Sequence, residues 1–345
     1  MNRRDFLRNS AAAGIVSAIP AIPVNAAPKE QKTYQPKTFR FRSDGTFKIL
    51  QFTDTHYIAG DARSERARKN VIEMLDAEKP DLVIHTGDSI FGKPAEESLR
   101  EVFAPISERK IPFALAMGNH DGQFGKNRHE VFEIVKSIPY NINQGIEGIY
   151  GDTNDLILLS GSDGKPKWAF YLFDSGDSID DPDMKGYDYI HFDQIDWYRR
   201  QSTALREQNG GTPLPSLAFF HIPLQEFTYA LRYDTHRDMK GNMGEDPSPS
   251  NVNSGLFVAM KEQKDVQAII CGHDHDNDYS MQWRGMFFIY GRFSGCDTVY
   301  NHLKPNGARI IELKEGEAGF HSWVRHFGGE ITLDLRYPDS FKYKK

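Results

Sequence analysis

Seven side chains of the types that bind metal ions occur in short clusters along this 345-residue chain: Asp54, His56, Asp88, Asn119, His221, His273 and His275. Imidazole, carboxylate and amide ligands in one site are typical of divalent ions such as Mn, Fe, Co, Ni or Zn. A lone calcium or magnesium site is usually built from oxygen ligands alone, and a structural zinc site usually contains cysteines. The ligand types therefore predict a site for a borderline divalent metal.

The number of candidate ligands indicates two ions rather than one. Seven ligands exceed what a single tetrahedral ion needs, and if one carboxylate bridges, they can hold two ions with positions left for water or substrate. Two ions roughly 3.5–4 Å apart form a clamp for in-line displacement at phosphorus, because they stabilise both the attacking and the leaving oxygen. The pattern therefore predicts a pair of metal ions arranged as such a clamp.

The clusters that carry these side chains follow apolar runs that predict buried strands. The runs are residues 49–52, 82–84, 113–116, 217–220 and 266–270. In open α/β sheets, ligands bind beyond the carboxyl ends of the strands, so five such loops are expected to converge on one crevice. Taken singly, Asp88 could be a helix cap, and the Asn119 and His273 clusters could be polar turns. Their joint occurrence favours a metal site.

Helix patterns alternate with these strands. Residues 63–79 carry apolar side chains at helical spacing and are followed by Pro80, and residues 95–109 form a second helix candidate. Strand–helix–strand alternation is the signature of parallel βαβ units. Short strands are predicted at residues 168–173 and 286–290, which indicates a second sheet. We expect an α/β fold of two packed mixed sheets with helices outside.

The ordered motifs resemble those of the calcineurin-like metallophosphoesterase superfamily. That family carries D-x-H, G-D, G-N-H-[DE], a lone H and G-H-x-H, and all five occur here in this order, within a resemblance that covers about residues 47–313. The resemblance implies a four-layer α/β/β/α sandwich of two mixed sheets. It also implies a dinuclear centre of Mn, Fe or Zn ions.

Roles for individual residues also follow from the resemblance. The first ion would be held by Asp54, His56 and His275. The second ion would be held by Asn119, His221 and His273, and Asp88 would bridge the two ions. His120 would lie beside the substrate phosphate and assist the leaving oxygen. Asp121 would orient the imidazole of His120.

Longer segments resemble a narrower branch of small exported phosphatases near the purple acid phosphatases. The segments are residues 44–49, 219–226, 253–257 and 272–278. Purple enzymes carry a tyrosine three residues after the bridging aspartate, where this chain has Phe91. A phenyl ring cannot ligate iron, so we expect a colourless site or a different metal pair.

These features predict an exported phosphomonoesterase that uses a metal-activated hydroxide on a small phosphorylated substrate. A phosphodiesterase or nucleotidase on the same metal site is the alternative. A non-catalytic binding module on this fold is a further alternative, although such a module is expected to lose metal ligands, and here every expected position is filled.

The N-terminus predicts export. Arg3 and Arg4 precede Phe6-Leu7 and an apolar stretch at residues 11–24, which resembles a twin-arginine signal peptide over residues 1–26. This stretch spans about 14 residues, short of the ~20 that a membrane span needs, so no stable membrane insertion is expected. Residues 27–38 are predicted to be a linker, and residues 39–345 the phosphoesterase domain. We expect recognition by the twin-arginine export machinery and a periplasmic or secreted protein.

The charge of the chain disfavours two classes of binding partner. The net charge of −6 and the lack of a polybasic run disfavour nucleic acid and anionic membranes as partners. Cys271 and Cys296 are expected to be two buried thiols or, alternatively, a disulfide. The sequence leaves the oligomeric state open.

Several other residues have two possible roles. His85 lies in an apolar run and is expected in the core or behind the site, and Arg292 is expected to bind a phosphate or to pair with a nearby acid. The loops 174–189 and 233–253 are candidate substrate rims or solvated insertions. The remaining histidines match no motif and are expected in surface or structural roles: His129, His191, His236, His302, His321 and His326.

Overall fold

The apolar runs form strands, and the regularly spaced apolar residues between them form helices. The computed structural model describes residues 34–234 and 238–341. The strands are β1 (Lys37–Arg40), β2 (Thr46–Phe52), β3 (Leu82–His85), β4 (Phe113–Leu115), β5 (Asp155–Ser160), β6 (Pro166–Leu172), β7 (Ser216–Phe219), β8 (Met239–Lys240), β9 (Val266–Cys271), β10 (Ser280–Trp283), β11 (Met286–Tyr290), β12 (Gly307–Lys314), β13 (Phe320–His326) and β14 (Ile331–Tyr337). The helices are α1 (Glu65–Glu78), α2 (Ala95–Glu108), α3 (Arg128–Lys136), α4 (Phe192–Gln208), α5 (Gln225–Tyr233) and α6 (Leu256–Gln263).

The first sheet has six strands in the order β14-β13-β12-β2-β3-β4. Strands β2, β3 and β4 are parallel neighbours joined through α1 and α2, which confirms the predicted βαβ units. Strand β12 runs antiparallel to β2, and β13 and β14 extend the sheet in antiparallel fashion.

The second sheet has eight strands in the order β1-β5-β6-β7-β9-β11-β10-β8. Its centre, from β6 through β7 and β9 to β11, is parallel, while antiparallel pairs flank it on both sides. Strand β1 pairs in parallel with β5 from Lys37 onward, so the sheet includes the last two residues of the predicted linker. This strand begins two residues before the predicted start of the phosphoesterase domain at residue 39.

Side chains alternate along each strand and so divide between separate cores. Ile49 of β2 and Ile270 of β9 belong to the core between the sheets, whereas Leu50 packs with the apolar faces of α1, α2 and α3. On the other side, Tyr171 of β6 contacts Tyr198 of α4 with ring centroids 4.9 Å apart. Helices therefore cover both outer faces, which confirms the predicted four-layer α/β/β/α sandwich.

The predicted helices are found with small differences at their ends. Helix α1 begins at Glu65, after a 3-10 turn that starts at Ala62, and ends at Glu78 because Lys79 takes a left-handed φ of 46° and Pro80 follows. None of the helices in residues 34–234 and 238–341 has the length and apolar composition that a membrane crossing requires. The predicted signal peptide lies outside the described residues.

Candidate metal centre

The motif loops of both sheets meet at the carboxyl ends of their strands. Loops after β2, β3 and β4 come from the first sheet, and loops after β7 and β9 come from the second. Hydrogen bonds join the two edges: the Gln51 side chain donates to the carbonyl of Cys271 (3.2 Å), and the backbone N–H of His273 donates to the carboxylate of Asp54 (3.1 Å). The crevice expected from the sequence is present.

Two groups of ligand atoms lie at this edge. One contains Asp54, His56 and His275 and the other contains Asp88, His221 and His273, with all ligand atoms of a group within 4.8 Å of one another. The first group is the set that the resemblance assigns to one ion.

Asp88 and Asn119 complete the arrangement. Asp88 Oδ2 is 3.8 Å from His56 Nε2 and 3.2 Å from His221 Nε2, so this carboxylate lies between the two groups. Asn119 Oδ1 is 3.1 Å from His221 Nε2 and therefore adjoins the second group. The structure thus brings all seven sequence-predicted ligands together, and none is more than 8% exposed.

The donor set fits divalent cations. His56 Nε2 is 3.0 Å from His275 Nε2, and His221 Nε2 is 3.2 Å from His273 Nδ1, so ring nitrogens face each other in pairs. Burial lowers the pKa of His56 and His273 well below its ordinary value, which keeps these imidazoles neutral and their lone pairs available. Ring nitrogens that face each other around buried carboxylates are an environment that a bound cation stabilises.

His221 and Asp88 contact each other in the site and shift each other's pKa. Burial lowers the pKa of His221, but Asp88 and Asp54 outweigh burial and raise it to about 9. Burial raises the pKa of Asp88, but the histidines around it hold that pKa well below its ordinary range. Asp88 is therefore ionised at neutral pH, as a bridging ligand must be.

Backbone carbonyls fix the orientation of two imidazoles. The carbonyl of Thr86 lies 2.7 Å from His221 Nδ1, and the carbonyl of Tyr300 lies 2.8 Å from His275 Nδ1. A carbonyl only accepts, so Nδ1 carries a proton in each ring and Nε2 is the nitrogen that faces the site. Such outer contacts orient the ligands of most metal sites.

The loops reach this geometry through unusual backbone conformations. Asp54, His56, Asp88 and His273 have φ values of 53°, 49°, 53° and 81°, in the left-handed region that costs non-glycine residues on the order of 1–3 kcal/mol each. Gly118 is required beside them, because a Cβ there would lie 2.2 Å from Asp88 Oδ1. Strain concentrated at four of seven candidate ligands is typical of a functional site.

Phe91 and His120 lie at the mouth of the site. The Phe91 ring packs edge-on against both His56 and His120, with centroids 5.0 Å apart in each pair. His120 is partly exposed, and its backbone N–H donates to Asp88 Oδ1 (2.8 Å). Its ring Nδ1 lies 2.7 Å from the side-chain oxygen of Gln123, which leaves Nε2 for a substrate.

The predicted role of Asp121 is wrong in this structure. Its carboxylate accepts hydrogen bonds from the backbone N–H groups of Gly118, Asp88 and Ser89 and from the Ser89 hydroxyl, at 2.6–3.0 Å. Asp121 therefore holds the loops after β3 and β4 together, and Gln123 is the residue that contacts the imidazole of His120. The side chain of Asp121 points beneath its own loop, a direction that adjacency in sequence does not reveal.

Sequence reasoning missed a buried ion pair behind the same loop. Arg128, at the start of α3, donates to the carbonyl of Gly118 (2.6 Å) and pairs with the buried carboxylate of Asp174. Asp174 in turn accepts from Thr153 through both its N–H and its hydroxyl. No local spacing connects Arg128 with Asp174, which are 46 residues apart.

The residues with two possible roles are now assigned. His85 lies behind the site, 2.7 Å from the Thr55 hydroxyl, and Arg292 pairs with Asp278 (2.6 Å), so the phosphate role for Arg292 is wrong. Cys271 and Cys296 are free buried thiols, and the disulfide alternative is wrong. Four of the other histidines pair with aspartates, namely His129, His191, His302 and His321. His326 contacts Thr332, and His236 lies outside the described residues.

A cleft of about 560 Å³ opens beside the centre. Asn119, His120 and Gln123 line its inner end, and its outer end is lined by the two loops expected to be substrate rims: Asp177, Ser178, Gly186, Tyr187, Pro249 and Asn251. The ring of Tyr187 meets His273 edge-on with centroids 4.4 Å apart, so the cleft continues directly from the second ligand group.

The chain is similar to known proteins over most of its length. The family model described as calcineurin-like phosphoesterase matches residues 47–277. An Arabidopsis thaliana protein named "Probable inactive purple acid phosphatase 29" is 33% identical over 312 residues, covering 81% of this chain and 79% of that protein. "Phosphatase DCR2" of Saccharomyces cerevisiae is 28% identical, covering 86% of this chain and 58% of that protein.

A solved structure shares the fold. The dimetal phosphatase from Danio rerio superposes with a TM-score of 0.59 at 13% identity, covering 83% of this chain and 98% of that one. The family model spans more than half of this chain, and the Arabidopsis relative is similar over most of both proteins. On this evidence the chain belongs to the calcineurin-like phosphoesterase family.

Proposed function

We propose that this protein is a dinuclear metal-dependent phosphomonoesterase that acts on small phosphorylated substrates. The observation that carries the proposal is the convergence of seven buried candidate ligands: two groups of three, in which Asp88 Oδ2 lies 3.8 Å from His56 Nε2 of the other group, and Asn119 beside the second group. Fold alone does not define an activity. A site that keeps every expected ligand residue and adjoins a cleft supports one.

The two ligand groups support an assignment of residues to each ion. Asp54, His56 and His275 would hold one ion, and Asn119, His221 and His273 the other, with Asp88 shared. Two divalent ions, when bound, supply charge that stabilises phosphoryl oxygens and make water nucleophilic near neutral pH. The ligand types suit Mn, Fe or Zn, and Phe91 removes the tyrosinate that would colour an iron site.

Among residues that are not ligands, His120 would act on the substrate. Its Nδ1 is held by Gln123, so Nε2 would donate to the ester oxygen that leaves. General acid assistance of this kind contributes about 10²–10⁴-fold in rate. Asp121 and Arg128 would keep the His120 loop in place, because both bind the backbone of Gly118.

Hydrolysis of a simple aryl phosphate monoester and of the matching bis-ester, with and without a chelator, tests the proposal. Chelator-sensitive turnover of the monoester is expected, with little turnover of the bis-ester. Preference for the bis-ester would instead identify a phosphodiesterase on the same site. Absence of turnover after loading with Mn²⁺, Fe²⁺ or Zn²⁺ would overturn the enzymatic function.

A non-catalytic binding role is the second candidate, because the name of the Arabidopsis relative contains the word inactive. Loss of activity in such a protein is expected to accompany loss of metal ligands, and this chain keeps all seven. Elemental analysis together with the ester assay separates the candidates, because a metal-loaded protein without turnover would support binding alone.

We also propose export through the twin-arginine route to the periplasm or beyond, on the basis of residues 1–26. Replacement of Arg3 and Arg4 by lysine is expected to retain the protein in the cytoplasm, measured by cell fractionation of the full chain. Equal export of the Arg3→Lys, Arg4→Lys variant and the unaltered chain would contradict the proposal.

A further inference from the structure

The cleft beside the candidate centre is where the leaving group of a bound ester would lie. His120 lines its inner end, and the proposed function places Nε2 of His120 against the leaving oxygen. The part of the substrate beyond that oxygen therefore meets the outer residues of the cleft. These residues are Asp177, Ser178, Tyr187 and Asn251.

The outer end of the cleft carries a negative charge and no positive one among the described residues that line it. The nine described residues that line the cleft include one carboxylate, Asp177, and no lysine or arginine. Asp177 accepts hydrogen bonds from the N–H and the hydroxyl of Ser178, and it has no salt bridge within residues 34–234 and 238–341. Arg128 is close enough to interact with Asp177, but its guanidinium is bound to Asp174. A second anionic group on the substrate would therefore meet an uncompensated negative charge.

The remaining outer groups suit hydroxyl-bearing molecules. Ser178 is exposed and offers a hydroxyl, and Asn251 uses its side-chain N–H on the carbonyl of Lys185, which leaves its amide oxygen as an acceptor. Tyr187 is 37% exposed and offers an apolar ring beside these polar groups. A carboxylate, a hydroxyl and an amide around an aromatic ring combine hydrogen bonds with a surface for C–H groups.

We infer that the substrate is a monophosphate ester of an uncharged polyhydroxylated molecule, such as a sugar or polyol, and that Asp177 discriminates against a second phosphate. This inference rests on the proposed phosphomonoesterase function and specifies its substrate class. Two like charges about 6–8 Å apart near a protein surface repel enough to give roughly tenfold or greater discrimination.

Values of kcat/KM for glucose 6-phosphate, glucose 1,6-bisphosphate and hexyl phosphate test the inference on the metal-loaded full chain at low ionic strength. The hexose monophosphate is expected to exceed each of the others by at least about tenfold. Asp177→Asn is expected to raise kcat/KM for glucose 1,6-bisphosphate. The preference for glucose 6-phosphate over this bisphosphate is then expected to fall to within about threefold. Asp183→Asn removes the same charge from the same loop but outside the cleft, so it is expected to keep the original preference.

Three results would overturn the inference while leaving the proposed function intact. They are turnover of a simple aryl phosphate without turnover of glucose 6-phosphate, equal use of the three alkyl and sugar esters, and an Asp177→Asn variant with an unchanged preference. A thermal melt establishes that the Asp177→Asn variant is folded. Failure to hydrolyse even the aryl phosphate with metal present would overturn the proposed function itself, and this inference with it.

Discussion

Asp88 is the residue on which both candidate ions depend, because its Oδ2 lies between His56 and His221. Replacement by alanine removes the shared negative charge, so each ion would have one ligand fewer and no carboxylate would offset the repulsion between the two cations. We expect Asp88→Ala to lose at least one equivalent of metal and more than about a hundredfold in activity, since even outer contacts are worth 10–100-fold. Elemental analysis and the aryl phosphate assay measure both effects.

The control for this change is Asp163→Ala, because Asp163 is exposed and pairs with Lys167 far from the ligand clusters in sequence. It is expected to keep both metal and activity. A fully loaded Asp88→Ala protein would contradict the bridging role.

His120 is expected to separate catalysis from metal binding. Its ring contacts Gln123 and lies outside both ligand groups, so His120→Ala is expected to keep both ions while kcat falls by about 10²–10⁴-fold. His129→Ala is the matched control, because that ring is exposed and pairs with Asp152 instead. Unchanged turnover of the His120 variant would remove this residue from the mechanism.

At the scale of elements, α3 positions the His120 loop through one side chain. Arg128 binds the carbonyl of Gly118 and neutralises Asp174, whose carboxylate is fully buried. Arg128→Met leaves that charge unpaired, and breaking a buried pair in this way costs about 3–5 kcal/mol. Urea unfolding is expected to show this loss, and kcat to fall because the loop is released.

Arg128→Lys provides the comparison, because it keeps the charge but lacks the planar fork that reaches Gly118 and Asp174 together. Compared with Arg128→Met, Arg128→Lys is expected to regain part of the lost free energy of unfolding and a smaller part of the lost kcat. A methionine variant as stable as the unaltered protein would contradict the positioning role.

Hydrogen bonds to the Glu78 side chain connect the end of α1 to the first sheet. Glu78 accepts from Trp323 (3.0 Å) and Arg325 (2.5 Å) of β13 and from Lys48 (3.1 Å) of β2. Burial raises the pKa of Glu78, but these donors outweigh it and lower the pKa below 4.5. The contribution to stability is therefore full above that ordinary value and is lost as the pH falls through the lowered pKa.

Glu78→Gln removes this titration. The free energy of unfolding is expected to fall by about 1–3 kcal/mol at pH 7, because a charged hydrogen-bond network loses its charge. Below pH 4.5 the difference between the variant and the unaltered protein is expected to shrink. Urea titrations across this range measure the change, and a difference that grows at acidic pH would have the wrong sign.

The same two scales explain what could be predicted from the sequence. Buried strands followed by glycine-flanked ligands are local patterns, so the residues of the centre and the order of βαβ units could be found without a structure. The roles of Asp121 and Arg128 do not follow from the sequence, because their partners depend on the direction of a loop and on Asp174, which lies in the loop after β6. The first two residues of β1 fall in the predicted linker because this edge strand has mostly exposed side chains and no apolar alternation.

At the scale of the whole molecule, the candidate centre joins the two sheets. Asp54, His56, Asp88 and Asn119 follow strands of the six-stranded sheet, while His221, His273 and His275 follow strands of the eight-stranded one. An ion in either ligand group would therefore bind residues from both sheets. Binding to the native state alone stabilises a protein by about 2.7 kcal/mol at a ligand concentration of 100 Kd.

Metal is consequently expected to raise the thermal midpoint of the entire domain rather than of a local segment. A stabilisation of about 2.7 kcal/mol corresponds to a rise of roughly 4 °C for a domain of this size. Scanning calorimetry of the chelated protein, with and without Mn²⁺ or Zn²⁺, is expected to give one transition that moves upward with metal. Asp88→Ala is expected to lose most of that movement, whereas Asp163→Ala keeps it. A midpoint that no divalent ion shifts, or a shift that Asp88→Ala retains in full, would mean that the two sheets do not share a bound cation at this edge.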